Sequence, residues 1–304
     1  MTKRSLNEDF LAKFDKGGEF AKVTEMVKYD PSLDFEMRGN SVILYYRGGK
    51  ILEIENDGSL KGVDSGYYNN EKYQFECPIP SMNGMDAYIS EAKRCIDKYQ
   101  IDIKNNLGEM EYRQRIAYEN NLSVNAEDCD FFIADAEWED NTQLGGRPDI
   151  VAFRWGHMEH RKCKVQMVLI EVKQGESSIN RESSGLKKHY DDYLRFKSQK
   201  EHVREVAEDM IKVLHQKHRL GLVKGLEKLF VDNKLPEIEE EIDFICLLAN
   251  YKPYSSLLYK ELIKMEDCKF FVASFMGYCL YQDFIVTKDE LIKMFPKVKG
   301  FNGL

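Results

Sequence analysis

Two apolar runs, residues 149–155 (DIVAFRW) and 164–173 (KVQMVLIEVK), flank the polar stretch GHMEHRKCK. Runs of this length between turn-forming residues read as strands. A hairpin made of such strands has to be buried, so it commits the chain to a sheet-containing core. If the loop centres on His160, residue 149 falls opposite residue 171, since each is 11 positions from 160. Directly opposed residues have α-carbons roughly 4.5–5.5 Å apart. Side chains alternate along a strand. Val165, Met167, Leu169, Glu171 and Lys173 therefore share one face, and Asp149, Val151, Phe153 and Trp155 share the matching face of the first strand. Two carboxylates and an ammonium then close one end of an otherwise apolar surface.

The remaining sequence places this hairpin in a larger order. Residues 33–55 alternate around Gly39-Asn40 and Gly48-Gly49, which predicts a small antiparallel meander. Aperiodic, turn-rich sequence follows, with a boundary near Cys77–Pro80. We divide the chain into residues 1–76, an α+β module for recognition or assembly, and 77–304, the domain containing the hairpin. From Met85 to about Asn121 apolar residues recur at helical spacing, with a break near NNLG. A strand is expected in 128–139, then the hairpin, then helical sequence from Leu186 through 201–230 with an interruption at Gly221. Residues 241–251 (EIDFICLLANY) read as a buried strand, and one or two more strands are expected around Gly277. Thr287 and Glu290 are spaced as a capping box for a last helix. The alternation gives an α/β fold with a mixed sheet.

Composition excludes some functions. The chain has 52 acidic and 44 basic residues, a formal charge of -8, so any nucleic-acid contact must be local rather than a bulk charge effect. Seven cysteines without a CxxC pair disfavour a disulfide framework and a thiolate zinc site, and no GxxxxGK[ST] loop is present. The absence of a signal-peptide pattern and of any apolar run near 20 residues leads us to expect a cytoplasmic protein without a membrane partner.

Opposed carboxylates repel unless a cation lies between them, and hard oxygen ligands favour Mg²⁺ or Mn²⁺. The backbone carbonyl of Val172 is a candidate third oxygen. Lys173 can orient or deprotonate a water, or neutralise charge developing on a phosphate. The set suits phosphodiester hydrolysis.

RPDIVAF and LIEVKQG, with 21 residues between Asp149 and Glu171, resemble the PD-(D/E)XK nuclease superfamily, with Pro148-Asp149 and Glu171-Val172-Lys173 matching its two halves. The resemblance runs from about residue 109 to 251. It implies a restriction-endonuclease-like core of helix, three antiparallel strands, helix and a further strand, and a metal-dependent nuclease acting on DNA. Nothing in the sequence excludes RNA. The family often adds a helix carboxylate; Glu109, Glu111 and Glu119 are candidates, and Glu111 with Gln114 best resembles its E-x-x-Q habit. The helix after the hairpin offers Lys187, Lys188, His189 and Tyr193 for substrate phosphate, against the plainer reading that Tyr193 packs in the core and the lysines are solvated. Asp135 and Glu137 are further candidates to line the site. In the meander, Tyr45, Tyr46 and Arg47 are candidates for stacking on substrate, and a homodimer is one expected assembly. The rival readings are a non-catalytic binding protein of the same fold and a hydrolase of small phosphorylated molecules.

Overall fold

A computed structural model describes residues 3–67, 69–70, 73–74, 80–101, 109–138, 148–156, 164–180, 185–249, 255–273, 280, 282 and 285–294. It is a mixed α/β structure. Helices α1 (Glu8–Ala12) and α2 (Ala21–Tyr29) precede strands β1 (Leu33–Met37), β2 (Ser41–Tyr46), β3 (Gly49–Glu55) and β4 (Leu60–Lys61). These four strands form an antiparallel sheet in sequential order. The short pair β5 (Asn69–Asn70) and β6 (Tyr73–Gln74) follows. Two separate helices, α3 (Met85–Tyr99) and α4 (Glu109–Asn121), then lead into the main sheet.

That sheet contains β7 (Phe131–Ala136), β8 (Ile150–Arg154), β9 (Lys164–Gln174), β10 (Glu237–Ile238), β11 (Asp243–Ala249), β12 (Lys269–Val272) and β13 (Val286–Thr287). Its order is β13-β12-β11-β9-β8-β7, with β10 beside the start of β9. Strands β7, β8 and β9 are antiparallel neighbours, whereas β11 runs parallel to β9. The parallel pair is possible because α5 (Leu186–Lys197) and α6 (Lys200–Arg219) make the long return between them. Helices α7 (Ser256–Leu262) and α8 (Lys288–Met294) complete the described elements, with Thr287 and Glu290 exchanging the bonds of a capping box.

The hairpin has the register that sequence symmetry predicts: Ile150 faces Ile170 and Val151 faces Leu169, so the next pair outward is 149 with 171. Alternation then sorts the residues into two cores. Val151, Phe153, Val165, Met167 and Leu169 join one apolar cluster with α5, α6 and the buried residues of the N-terminal sheet. Ile150, Ala152, Val168, Ile170 and Val172 join a second, covered by Ile116 and Ala117 of α4. Strand β9 is thus apolar on both faces because it is covered on both.

The interruption expected at Gly221 is present, but helix does not resume beyond it toward residue 230: α6 ends at Arg219. Gly221 takes a left-handed φ of 71°, its N–H donates to the His218 carbonyl, and the Leu222 N–H donates to the Lys217 carbonyl, both at 2.8 Å. This is the paired C-terminal bonding that a glycine stabilises, and it outweighs the apolar spacing beyond. The proposed boundary at 77–79, the hairpin tip with His157 and His160, and Gly277 lie outside the described residues. Among the described residues no helix is long and apolar enough to cross a membrane.

Candidate active site

Where β8 begins and β9 nears its end, Asp149, Glu171 and Lys173 meet on the floor of a cleft of about 570 Å³. They are 4%, 1% and 3% exposed, so they meet solvent only through the cleft. Gly175, at φ 64°, ends β9 two residues later and turns the chain toward α5.

Lys173 Nζ lies 2.5 Å from Glu171 Oε1, and His189 Nε2, on the first turn of α5, lies 3.2 Å from the same oxygen. Glu171 Oε2 is buried and has no hydrogen-bond donor. Asp149 is held differently. Its Oδ2 accepts the Val172 backbone N–H at 2.6 Å, and its Oδ1 pairs with Arg113 of α4. Arg113 also reaches Glu109 at 2.9 Å and Glu137 at 3.9 Å, so one guanidinium gathers three carboxylates.

Burial raises the Asp149 carboxyl above its ordinary pKa, with Arg113 opposing. Burial raises Glu171 too, reinforced by the negative charge of Asp149. For Lys173 burial opposes the charged form, but Glu171 and Asp149 outweigh it and hold the pKa above the ordinary lysine value. Lys173 is therefore a persistent cation, better suited to neutralising charge on a phosphate than to removing a proton from water.

A β-bulge shapes the wall beside these groups. The register of β7 against β8 shifts between Ile133 and Asp135. The extra residue turns Asp135 to the same side as Ala134, toward the N-terminal sheet. Asp135 is fully buried and receives Arg38 Nη1, from just past β1, on both oxygens, at 3.0 and 3.1 Å, with Arg4 Nε 3.7 Å away. Glu137, just past the strand, has a left-handed φ of 74° and donates its N–H to the Asp149 carbonyl at 2.7 Å. A non-glycine residue rarely takes this conformation; here it points Glu137 into the cleft.

The other residues named from sequence divide. Glu111 is paired with Arg47 at 3.2 Å and is not part of the cleft lining; Glu109, one of the two other candidates on that helix, is. Tyr193 donates to the Ile242 carbonyl at 3.1 Å and stacks on Phe244, so it is a packing residue, whereas Lys187 and Lys188 pair with Asp191 and Asp192 one helical turn on. Val172 meets the site through its backbone N–H, which donates to Asp149 Oδ2. Of the meander residues, Tyr45 lines the cleft, and Tyr46 and Arg47 both bond Asp97. Sequence reasoning missed Arg4, Arg38 and Arg113. Only Arg113 left a signal, its four-residue spacing from Glu109.

The residues present fit a hard divalent cation. A buried carboxylate oxygen without a donor costs roughly 1–3 kcal/mol, and Glu171 Oε2 is such an atom beside a second carboxylate. Among the described residues no group of three or more His, Cys, Asp or Glu side chains surrounds one point. That is compatible with Mg²⁺, which commonly takes one or two carboxylates and completes its shell with water and substrate phosphate.

Comparison with protein-family models, with curated proteins and with solved structures finds no match for this chain.

Proposed function

We propose that this protein is a divalent-metal-dependent nuclease of the restriction-endonuclease-like fold that hydrolyses phosphodiester bonds in DNA. The observation that carries the reading is the register of β8 on β9, which sets Asp149 beside Glu171 with Lys173 on the same face. The order α4, β7–β8–β9 antiparallel, α5, β11 parallel to β9 is the one implied by the resemblance to PD-(D/E)XK nucleases.

Asp149 and Glu171 would hold Mg²⁺ or Mn²⁺, which when bound supplies an acidified water and neutralises phosphate charge. Lys173 donates its ammonium charge to the phosphoryl oxygens as they gain negative charge. His189, anchored on the Glu171 oxygen that also meets Lys173, fixes that carboxylate in orientation. The cleft charge explains how an acidic chain accepts a polyanion. Arg4, Arg38, Arg113 and Lys173 are formally balanced by Glu109, Glu137, Asp149 and Glu171. A divalent ion tips this balanced lining positive, so nucleic-acid affinity should follow metal occupancy.

The test is incubation with linear, nicked, circular and single-stranded DNA and with RNA, in Mg²⁺, Mn²⁺ or chelator, beside Asp149→Ala and Lys173→Ala. Metal-dependent cleavage lost in both variants supports the reading; cleavage that survives in them refutes the site. One observation favours a non-catalytic member of the same fold: Arg113 already neutralises Asp149 from within. If that contact is permanent, Mn²⁺ titration will detect no binding.

A further inference from the structure

Of the four residues expected to steady the substrate from α5, His189 lines the cleft and Lys187, Lys188 and Tyr193 do not. Lys187 and Lys188 are spent on their own helix, and Tyr193 is in the core. Other cations face the same cleft from the opposite wall, and they come from the N-terminal module. Arg4 precedes α1 and Arg38 directly follows β1, with side chains 13% and 12% exposed, so that little beyond the cleft-facing part meets solvent.

Both are held in place. Asp135 lies between them, and Arg38 also donates to the Ala136 carbonyl at 3.1 Å and the Met37 carbonyl at 2.8 Å. The backbone N–H of Arg4 donates to Asp209 of α6 at 2.6 Å, and the Ser5 hydroxyl bonds the same carboxylate at 2.6 Å. Behind Asp135, the fully buried Glu36 has a cation of its own, Lys217 at 3.0 Å. Asp135 is thus flanked by two guanidiniums, of which Arg38 also lies 3.5 Å from Glu36. A guanidinium stays protonated and presents several donors in a fixed plane, which is the preferred protein partner of a phosphate. Anchoring it on a buried carboxylate removes most of the side-chain entropy otherwise lost on binding.

We infer that Arg4 and Arg38 form a fixed phosphate-binding subsite, which holds a backbone phosphate of a nucleic-acid strand opposite the Asp149–Glu171 carboxylates. The N-terminal module is then one wall of the active cleft rather than a separate recognition domain. Tyr45, from β2 of the same module, lines the cleft beside Arg38 and offers a ring to a neighbouring base. This inference rests on the nuclease reading, and its test keeps the two apart.

Binding of a fluorescein-labelled DNA oligonucleotide is measured by anisotropy over a salt series in Mg²⁺, on a Lys173→Ala background so that the strand survives. Arg4→Gln and Arg38→Gln are compared on that background, with cleavage by the wild-type chain followed separately. Each substitution should weaken binding on the order of tenfold and lower the slope of log K against log salt by about 1. Arg38→Gln carries a risk to folding because it strips Asp135 of its nearer partner. Arg4→Gln, at the longer 3.7 Å contact, keeps the inference testable. Arg38→Lys should keep the salt slope but lose affinity, since charge remains while the planar fork is gone. A lowered melting temperature with unchanged slope and affinity in both Gln variants would overturn the subsite and leave the nuclease reading intact. A parent that binds no strand would overturn the subsite as well, and absence of wild-type cleavage in the parallel assay would then remove the nuclease reading with it.

Discussion

Two clusters of buried charge lie within this molecule, built from the same kinds of side chain and finished in different ways. In the first, Glu36, Asp135, Arg38 and Lys217 carry no buried side-chain atom without a partner. In the second, Asp149, Glu171 and Lys173 are buried to the same degree, yet Glu171 Oε2 is left unmet. Leaving an oxygen unmet lowers stability, so the second cluster is held at a cost that the first does not carry. The first joins the N-terminal sheet to the main one, and the second opens on the cleft.

Substitutions should separate the two clusters sharply. The largest effect is expected at the open one, where Glu171→Gln should reduce cleavage by about a thousandfold or more without lowering the urea midpoint, because it removes a charge that the fold holds at a cost. A large loss of stability there would mean that the second cluster is structural too. At the closed cluster Lys217→Met should destabilise by about 3–5 kcal/mol, read by urea unfolding, since Glu36 would be buried without its cation. Retained stability would show that Arg38, 3.5 Å from Glu36, suffices.

Proton linkage gives a third, smaller contrast. Burial pushes Asp135 up to about 7, with Arg38 opposing. The folded state therefore holds this proton more tightly than the unfolded chain, where an aspartate titrates near about 3.9. Its contribution to stability is full below the unfolded value and is lost as pH rises through about 7. Comparing wild type with Asp135→Asn at pH values below and above that window should show the Asn form losing less stability as pH rises, by on the order of 1–3 kcal/mol. Equal pH dependence of the two proteins would contradict the shift.

The smallest effect concerns α4. Glu111→Gln removes one half-exposed ion pair with Arg47 and should cost less than about 1 kcal/mol with cleavage intact. Glu109→Gln, by contrast, should alter metal-dependent cleavage. Reversed results would return Glu111 to the site.

The hairpin was legible in the sequence because its information is local: period-two alternation and a loop of countable length fix both the faces and the register of 149 with 171. The choice between Glu109 and Glu111 was not, since α4 carries charged or polar side chains around most of its circumference and offers no clear face until it is docked. Tyr193 could have been read either way, because the same aromatic ring serves substrate and core. Arg38 and Asp135 are 97 residues apart, and their meeting depends on a bulge in β7 that no composition signal marks. Site chemistry drawn from two strands of one hairpin is readable; chemistry assembled across modules waits for the fold.

The tie between residues 4–6 and α6 bears on the order in which the molecule is assembled. Leu6 exchanges two hydrogen bonds with the Gln216 side chain, 210 residues along, and Arg4 is tethered to Asp209. A chain emerging from the ribosome at about 5–20 residues per second exposes its first residues long before α6 exists. At that rate the strands that carry Asp149 and Glu171 precede the end of α6 by roughly 2–9 seconds, during which residues 4–6 still lack their anchor. The amino-terminal segment, and the guanidinium of Arg4 with it, can therefore be fixed in place only after α6 has emerged.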